Sequence, residues 1–139
     1  MDALILAGGE NSRIPFLKGF LEINGTKIIE SNVRLLKGIF NRVLISTNSP
    51  EDFFYLGLPM IGDVINSGGP LAGIFSVLAN SSATAVFVSA CDMPFIEEGI
   101  VRLIISAFEE QDAVIPLYEG RPQPLLGIYS QRVRDLMEE

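Results

Sequence analysis

Short apolar runs, separated by polar and glycine-rich stretches, recur along the whole chain. Most are rich in Val, Ile and Leu and too short for helices, which is typical of strands buried in a sheet. We predict strands at 3–6, 20–23, 43–47, 60–64, 85–90, 113–118 and 125–129. An Asn24-Gly25 turn signal follows the second strand, and the turn "EGRPQP" precedes the last.

Between these runs, apolar residues recur every three or four positions, which predicts helices. They are expected at 26–40 with Thr26 as cap, from Ser49 with Pro50 at the first position, from Pro70, at 96–109, and from Ser130 onward. Strands that alternate with helices predict a three-layer α/β/α domain with a mainly parallel sheet.

The composition narrows the class of function. The 139 residues suit one domain, and 48% of them are apolar. The absence of histidine excludes imidazole catalysis, and the single cysteine, Cys91, excludes an internal disulfide. A net charge of −7 disfavours a nucleic-acid surface, and no secretory signal or membrane-length apolar run is visible. These features predict a cytoplasmic protein and leave a small phosphorylated ligand open.

Residues that can carry chemistry follow the predicted strands, where parallel sheets bind their ligands. They are Gly8, Gly9, Arg13 and Lys18 after 3–6, Ser46, Thr47 and Asn48 at the end of 43–47, Asp63 near the end of 60–64, and Asp92 after 85–90. Because the carboxyl ends of parallel strands meet at one edge of a sheet, we expect these residues to form one site.

This set suits a nucleoside triphosphate with a metal ion. Gly8 and Gly9 lack Cβ atoms, so their backbone N–H groups can approach phosphate oxygens closely. Arg13 and Lys18 can neutralise the phosphates, and Asp92 suits Mg²⁺, which takes one or two carboxylates plus substrate oxygens. The loop is neither the Rossmann fingerprint nor the Walker A motif, because its glycines are adjacent and Lys18 is followed by glycine.

Each of these residues also has a purely structural interpretation. Asp92 could cap the next helix, Asp63 could occupy a turn, and Asn48 could cap the helix at Pro50. The glycines could serve only a tight turn, and the two cations could be solvated. The functional interpretation rests on the expectation that all of these residues lie at the same edge of the sheet. Independent structural roles would not predict that they lie together.

The motifs resemble those of the molybdenum cofactor guanylyltransferases. That family opens with L-A-G-G-x-S-x-R-M-G-x-x-K, and this chain has "LAGGENSRIPFLK", with the glycine pair, arginine and lysine in register. The later "GGPLAG", "ACDMPF" and "RPQPLLGIY" look like the family's guanine-side loop, metal aspartate and late strand pair. The resemblance implies a single MobA-like nucleotidyltransferase domain over 1–139, with the Rossmann-like fold of nucleotide-diphospho-sugar transferases.

The resemblance also implies roles for residues of the opening motif. Leu6, Ala7 and Gly8 would hold the guanine and the start of the phosphate chain. Lys18 would bind the phosphates. Arg13 stands in register with the family's arginine and completes the expected catalytic set with Lys18 and the metal aspartate.

Matching residues later in the chain would complete the site. Asp63 would lie near the nucleoside, and Asp92 would bind Mg²⁺. The family's nucleotide-contacting asparagine after the second strand aligns best with Ser46, and Asn48 matches a second asparagine two positions on.

Three departures from the family pattern are expected to matter. Asn11 replaces the motif's serine, with Ser12 one place later, and Pro15 replaces a glycine, which fixes φ and stiffens the loop. The chain also ends before the family's Asn-x-Asn-Thr-Pro segment, so we expect the C-terminal, acceptor-side part of the family domain to be absent from these 139 residues.

The function implied by the resemblance is transfer of GMP from Mg·GTP to molybdopterin, with release of pyrophosphate. It implies no nucleic-acid or membrane partner, and transient contact with other cofactor-biosynthesis proteins or molybdoenzymes. Two alternatives remain open. One is a nucleotidyltransferase with another acceptor, such as a sugar phosphate or a cytidylyl-type substrate; the other is a GTP-binding module without catalysis.

Overall fold

The computed structural model describes residues 1–7, 22–23, 26–47, 49–62, 70–80, 83–91, 93 and 96–134. The strands are β1 (Asp2–Leu6), β2 (Glu22–Ile23), β3 (Thr26–Lys27), β4 (Val43–Ser46), β5 (Met60–Ile61), β6 (Ala85–Ala90), β7 (Ala113–Val114), β8 (Leu117–Tyr118), β9 (Arg121–Pro122) and β10 (Leu126–Ser130). The helices are α1 (Ile28–Lys37), α2 (Pro70–Asn80) and α3 (Glu98–Ala107), with 3-10 turns at Pro50–Asp52 and Phe54–Leu56.

Six of these strands form one mainly parallel sheet in the order β5-β4-β1-β6-β10-β7. Neighbours among β5, β4, β1 and β6 are parallel, whereas β10 is antiparallel to both β6 and β7. The parallel strands therefore all end at one edge, which we call the carboxyl edge; the opposite edge is the amino edge. β2–β3 and β8–β9 are separate two-stranded hairpins.

Helices cover both faces of the sheet, as the three-layer prediction requires. Apolar residues of α1 and α3 pack on one face around Phe87, whose ring centroid lies 5.2 Å from that of Phe40. On the other face, Ile74, Val77 and Leu78 of α2 pack on Leu4 and Val88. All of these apolar side chains are buried, and β6 is buried along its whole length, which explains its continuous apolar run.

The α/β fold with a mainly parallel sheet is confirmed, as are the predicted strands at β1, β4 and β6 and the start of α2 at Pro70. Other boundaries were wrong. α3 is shorter than 96–109, and the residues from Ser49 form 3-10 turns. Thr26 does not cap α1: it lies in β3, and the cap position belongs to Lys27, which makes no side-chain capping bond. Pairing with β2 has overridden the preference of threonine for a cap.

Near the C-terminal end, the strand predicted at 125–129 is confirmed as β10, whereas two other predictions failed for the same physical reason, which is strand pairing. Ser130 does not begin a helix but ends β10, where it pairs with Ala85; residues 132–134 are helical. The expected strand 113–118 divides into β7, which joins the main sheet, and β8, which pairs with β9. Between β8 and β9, Glu119 and Gly120 have φ of 51° and 77°, the pattern of a tight hairpin turn.

No described helix is both long enough and apolar enough to span a bilayer.

Candidate functional site

Four parallel strands end side by side at the carboxyl edge. Leu6, the last residue of β1, is in register with Ser46 of β4 on one side and with Ala90 of β6 on the other. Ser46 is in turn level with Ile61, the last residue of β5. Residues level with one another on neighbouring strands share a face of the sheet, and Leu6 and Ile61 pack against the cluster beneath α2. This row therefore lies on the α2 face.

Backbone hydrogen bonds extend the alignment one residue beyond the strands. Ala7 N donates to Ser46 O at 2.9 Å, and Cys91 N donates to Leu6 O at 3.0 Å. Thr47 N donates to Ile61 O, also at 3.0 Å. The chain segments that follow these residues consequently all begin at the same edge, within hydrogen-bond distance of a neighbouring strand.

The end of β4 contains a local turn that the sequence analysis did not identify. Thr47 Oγ1 accepts a hydrogen bond from Ser49 N at 3.0 Å. Threonine side chains commonly shape turns in this way, two residues ahead of the donor. A Thr-x-Ser sequence directly before proline was the signal that could have revealed it. The bond fixes the chain on both sides of Asn48.

α2 also begins at the carboxyl edge, because it follows β5 and packs back along β1 and β6. The first turn of a helix has unpaired N–H groups and the positive end of the helix dipole. Both favour an anion at this edge. A negatively charged phosphate chain would therefore be favoured at the start of α2.

The structure brings together four of the sequence-predicted site residues: Leu6, Ala7, Ser46 and Thr47. Leu6 is partly exposed, whereas Ala7 is buried and Ser46 is only 3% exposed. The other seven candidates, namely Gly8, Gly9, Arg13, Lys18, Asn48, Asp63 and Asp92, lie outside the described residues, as do Asn11, Ser12 and Pro15. Their roles stay predictions.

Near the start of α1, three polar side chains form a surface cluster on the face opposite α2. Lys27 Nζ lies 5.3 Å from the centre of the Tyr55 ring, a cation–π distance. Partial burial raises the pKa of Tyr55, and the charge of Glu30 and its hydrogen bond with the Tyr55 hydroxyl raise it further. The cluster therefore stabilises the neutral form of Tyr55.

No group of three or more His, Cys, Asp or Glu side chains that could hold a metal ion occurs within the described ranges. The donors that these ranges place at the carboxyl edge are backbone groups and hydroxyls. Mg²⁺ bound with a nucleotide takes one or two carboxylates from a protein and its other ligands from phosphates and water, a demand that Asp92 would meet. The assignment of Mg²⁺ to Asp92 therefore stays a prediction.

Known proteins of one family match this chain over nearly its whole length. Residues 3–139 match the family model described as the MobA-like NTP transferase domain. A protein from Clostridium perfringens named as a probable molybdenum cofactor guanylyltransferase is 37% identical over 138 residues, covering 99% of this chain and 69% of that protein. A protein of the same name from Carboxydothermus hydrogenoformans is 35% identical, covering 97% of this chain and 68% of that protein.

A solved structure gives the same result for the fold. The molybdopterin-guanine dinucleotide biosynthesis protein A of Archaeoglobus fulgidus superposes with a TM-score of 0.79 at 26% identity, covering 99% of this chain and 71% of that protein. A superposition of this quality over nearly the whole chain supports the α/β fold described above. Together these matches show that the chain belongs to the MobA-like NTP transferase family of nucleotidyltransferases.

Proposed function

We propose that this chain transfers GMP from Mg·GTP to molybdopterin, forming molybdopterin guanine dinucleotide and releasing pyrophosphate. The observation that carries the proposal is the alignment of Leu6, Ser46 and Ala90 at the carboxyl edge, which gives the predicted nucleotide loops a common origin. The names of the relatives support guanine as the base and molybdopterin as the acceptor. A cytoplasmic location and transient contacts with molybdoenzymes belong to the same proposal.

The proposed reaction needs no protein nucleophile. An oxygen of the acceptor's terminal phosphate attacks the α-phosphorus of GTP, the bond from that phosphorus to the bridging oxygen of the β-phosphate breaks, and pyrophosphate leaves. Lys18 and Arg13 would neutralise the charge that builds up on the phosphates. The rest of the rate would come from holding the two substrates in line, which a chain without histidine can do.

The edge can position a nucleotide through its backbone. Ala7 is buried and its N–H is bonded to β4, so the chain enters the Gly8-Gly9 segment from a fixed point. Asp92 follows Cys91, whose N–H is bonded to Leu6 O, so it starts from the neighbouring strand. When bound, Mg²⁺ would supply Lewis-acid stabilisation of the phosphates, and Asp92 would be its protein ligand.

Base choice is the sharpest test of this proposal. Guanine presents two donors and one acceptor on its edge, and a site built for them leaves buried groups unpaired when another base binds. Each such loss costs about 1–3 kcal/mol, so two give a preference for GTP on the order of 100-fold or more.

The experiment measures pyrophosphate release with Mg²⁺ and GTP, ATP, CTP or UTP, each with molybdopterin, with a sugar phosphate, and without acceptor. We expect release only with GTP and molybdopterin together. A preference for CTP or UTP, or release with the sugar phosphate, would identify another nucleotidyltransferase of this fold. Tight GTP binding with no release under any condition would identify a binding module.

A further inference from the structure

One exposed hairpin stands on the carboxyl edge and plays no part in the proposed nucleotide site. It comprises β8, the Glu119-Gly120 turn and β9, and we call it the 117–122 hairpin. Leu117 and Tyr118 are 69% and 68% exposed, although both are large and apolar. Each of the two therefore places a large apolar group on one face of a protruding hairpin, where a partner can contact it.

The base of the hairpin is bonded to the strands that form the edge. Leu125 O accepts a hydrogen bond from Ala90 N at 3.0 Å, and the next residue, Cys91, donates to Leu6 O at 3.0 Å. Two hydrogen bonds thus connect the hairpin base to the strand end that would hold the nucleotide. The hairpin rises beside β6, on the side of the edge away from β4 and β5.

Local bonds fix the hairpin base while both of its faces stay open. Gln123 N donates to Pro116 O at 3.0 Å and closes the base, and Tyr129 Oη donates to Pro124 O at 2.5 Å. The residues of β8 and β9 themselves are all exposed. A rigidly based arm with open faces is suited to recognition, because binding would cost it little conformational entropy.

The two faces of the hairpin differ in chemistry. Tyr118 is directly opposite Arg121 in the β8–β9 register, so these two side chains share one face, and Leu117 shares the other with Pro122. Arg121 makes no ion pair with any described residue. An aromatic ring beside a guanidinium provides a surface for a planar ring and donors for an anion.

We propose that the 117–122 hairpin is the acceptor-recognition arm of the transferase, with Tyr118 packing on a planar heterocycle and Arg121 binding the acceptor's anionic group. This inference rests on the proposed function, because it assigns the acceptor half of that reaction. In a chain of net charge −7, an arginine without an ion pair among the described residues, beside the proposed reacting edge, would favour an anionic acceptor locally. Glu119, at the hairpin tip, would repel the anion, so the anion would bind nearer the base of the arm.

The test uses a pterin phosphate and the same pterin without its phosphate, with the chain held in Mg²⁺ and a non-hydrolysable GTP analogue. Pterin fluorescence reports binding without interference, because the chain has no tryptophan. Tyr118→Ala should lower the affinity for both pterins by about 5- to 100-fold, whereas Tyr118→Phe should bind them as the wild type does. Arg121→Ala should weaken only the pterin phosphate, by about 10-fold. None of these changes should alter the affinity for the GTP analogue.

Matched controls are available elsewhere on the surface. Tyr55→Ala removes another half-exposed tyrosine, and Arg102→Ala removes another exposed arginine, on α3. Both should bind the two pterins as the wild type does. Thermal unfolding of every variant checks that the fold is kept.

The outcomes separate the two proposals. Wild-type binding of pterin phosphate with unchanged affinity in both hairpin variants would overturn the arm while leaving the proposed function intact. A change of oligomeric state in Tyr118→Ala, with pterin affinity unchanged, would also overturn it and make the hairpin a self-association surface. A wild-type chain that binds GTP but neither pterin would overturn the arm together with the molybdopterin acceptor.

Discussion

The described residues make different kinds of hydrogen bonds and ion pairs at the two edges of the central sheet. At the amino edge, described side chains bond to other parts of the protein. Arg42 pairs with Asp2 at 3.8 Å, Arg132 pairs with Asp112 at 3.2 Å, and Gln131 Nε2 donates to Leu78 O at 2.8 Å. At the carboxyl edge, backbone groups of neighbouring strands bond to one another, and the chain continues into the predicted nucleotide loops. Described side chains therefore tie the amino edge to neighbouring elements, and described backbone bonds at the carboxyl edge set where the predicted nucleotide loops begin.

The size of a cavity alone does not make it a nucleotide site. An open cavity of about 500 Å³ lies at the amino edge, between the end of α3 and the end of β10. Its lining includes Glu109 and Glu110, whose charges would repel a triphosphate, and its arginine, Arg132, is already paired with Asp112. The charges of this cavity therefore make it a poor site for a triphosphate, which agrees with the proposed nucleotide site at the carboxyl edge.

The largest effect should come from removing the proposed metal ligand. We expect Asp92→Ala to lower GMP transfer by on the order of 100-fold or more, because the metal supplies several kcal/mol of transition-state stabilisation. Unfolding should change by no more than the ~1 kcal/mol of a lost helix cap. The matched change at the amino edge, Asp112→Ala, should leave the rate unaltered. Near wild-type turnover of Asp92→Ala at saturating Mg²⁺ would show that Asp92 is only a cap.

A somewhat smaller effect is expected for Lys18, the lysine proposed to bind the phosphates. Lys18→Ala should weaken GTP by roughly 10- to 150-fold, the cost of one charge-assisted contact, and should weaken guanosine little. Lys37→Ala, at the exposed end of α1, is the matched control and should change neither affinity. Isothermal titration with both ligands makes the measurement. Equal losses for GTP and guanosine would place Lys18 away from the phosphates.

The sequence was sufficient for the elements whose local pattern and tertiary role agree. β6 is a continuous apolar run that is buried on both faces, and α2 combines helical spacing with a proline at its first turn. Leu6 and Ser46 were placed together because parallel strands end at one edge, a rule that needs no side-chain detail.

The failures occurred where long-range pairing decides the structure. Thr26 has the chemistry of a cap but forms a strand with β2, and Ser130 continues β10 because Ala85 lies opposite it. The 117–122 hairpin was missed because Leu117 and Tyr118 look like core residues of one long strand. Only the register of β7 with β10 shows that the sheet ends at Val114.

Tyr129 lies near the amino edge, and its hydroxyl donates a hydrogen bond to Pro124 O at the hairpin base, so this side chain connects the two edges. The dependence of stability on alkaline pH tests its contribution. Burial raises the pKa of Tyr129 above its ordinary value of 10.0. Its contribution to stability is therefore complete below pH 10 and is lost as the pH rises through the higher folded-state pKa, by at most about 1.4 kcal/mol per pH unit. Tyr129→Phe should remove that loss. Urea unfolding at pH 9, 10 and 11 measures it, and parallel curves for both proteins would contradict the assignment.

The smallest expected effect is on the free energy of unfolding, and it differs between two glutamines, one at each edge. Gln131 Nε2 donates to Leu78 O in the last turn of α2, where carbonyls have no partner within the helix. Gln123 Nε2 makes only a 3.3 Å bond to Arg121 O, two residues away and exposed. Gln131→Ala should therefore cost about 1 kcal/mol of unfolding free energy, with GMP transfer unchanged, whereas Gln123→Ala should cost only a few tenths. Chemical denaturation of the two variants, paired with rate measurements, makes the comparison. Loss of rate in Gln131→Ala without loss of stability would mean that the amino edge takes part in function and that the division between the edges is wrong.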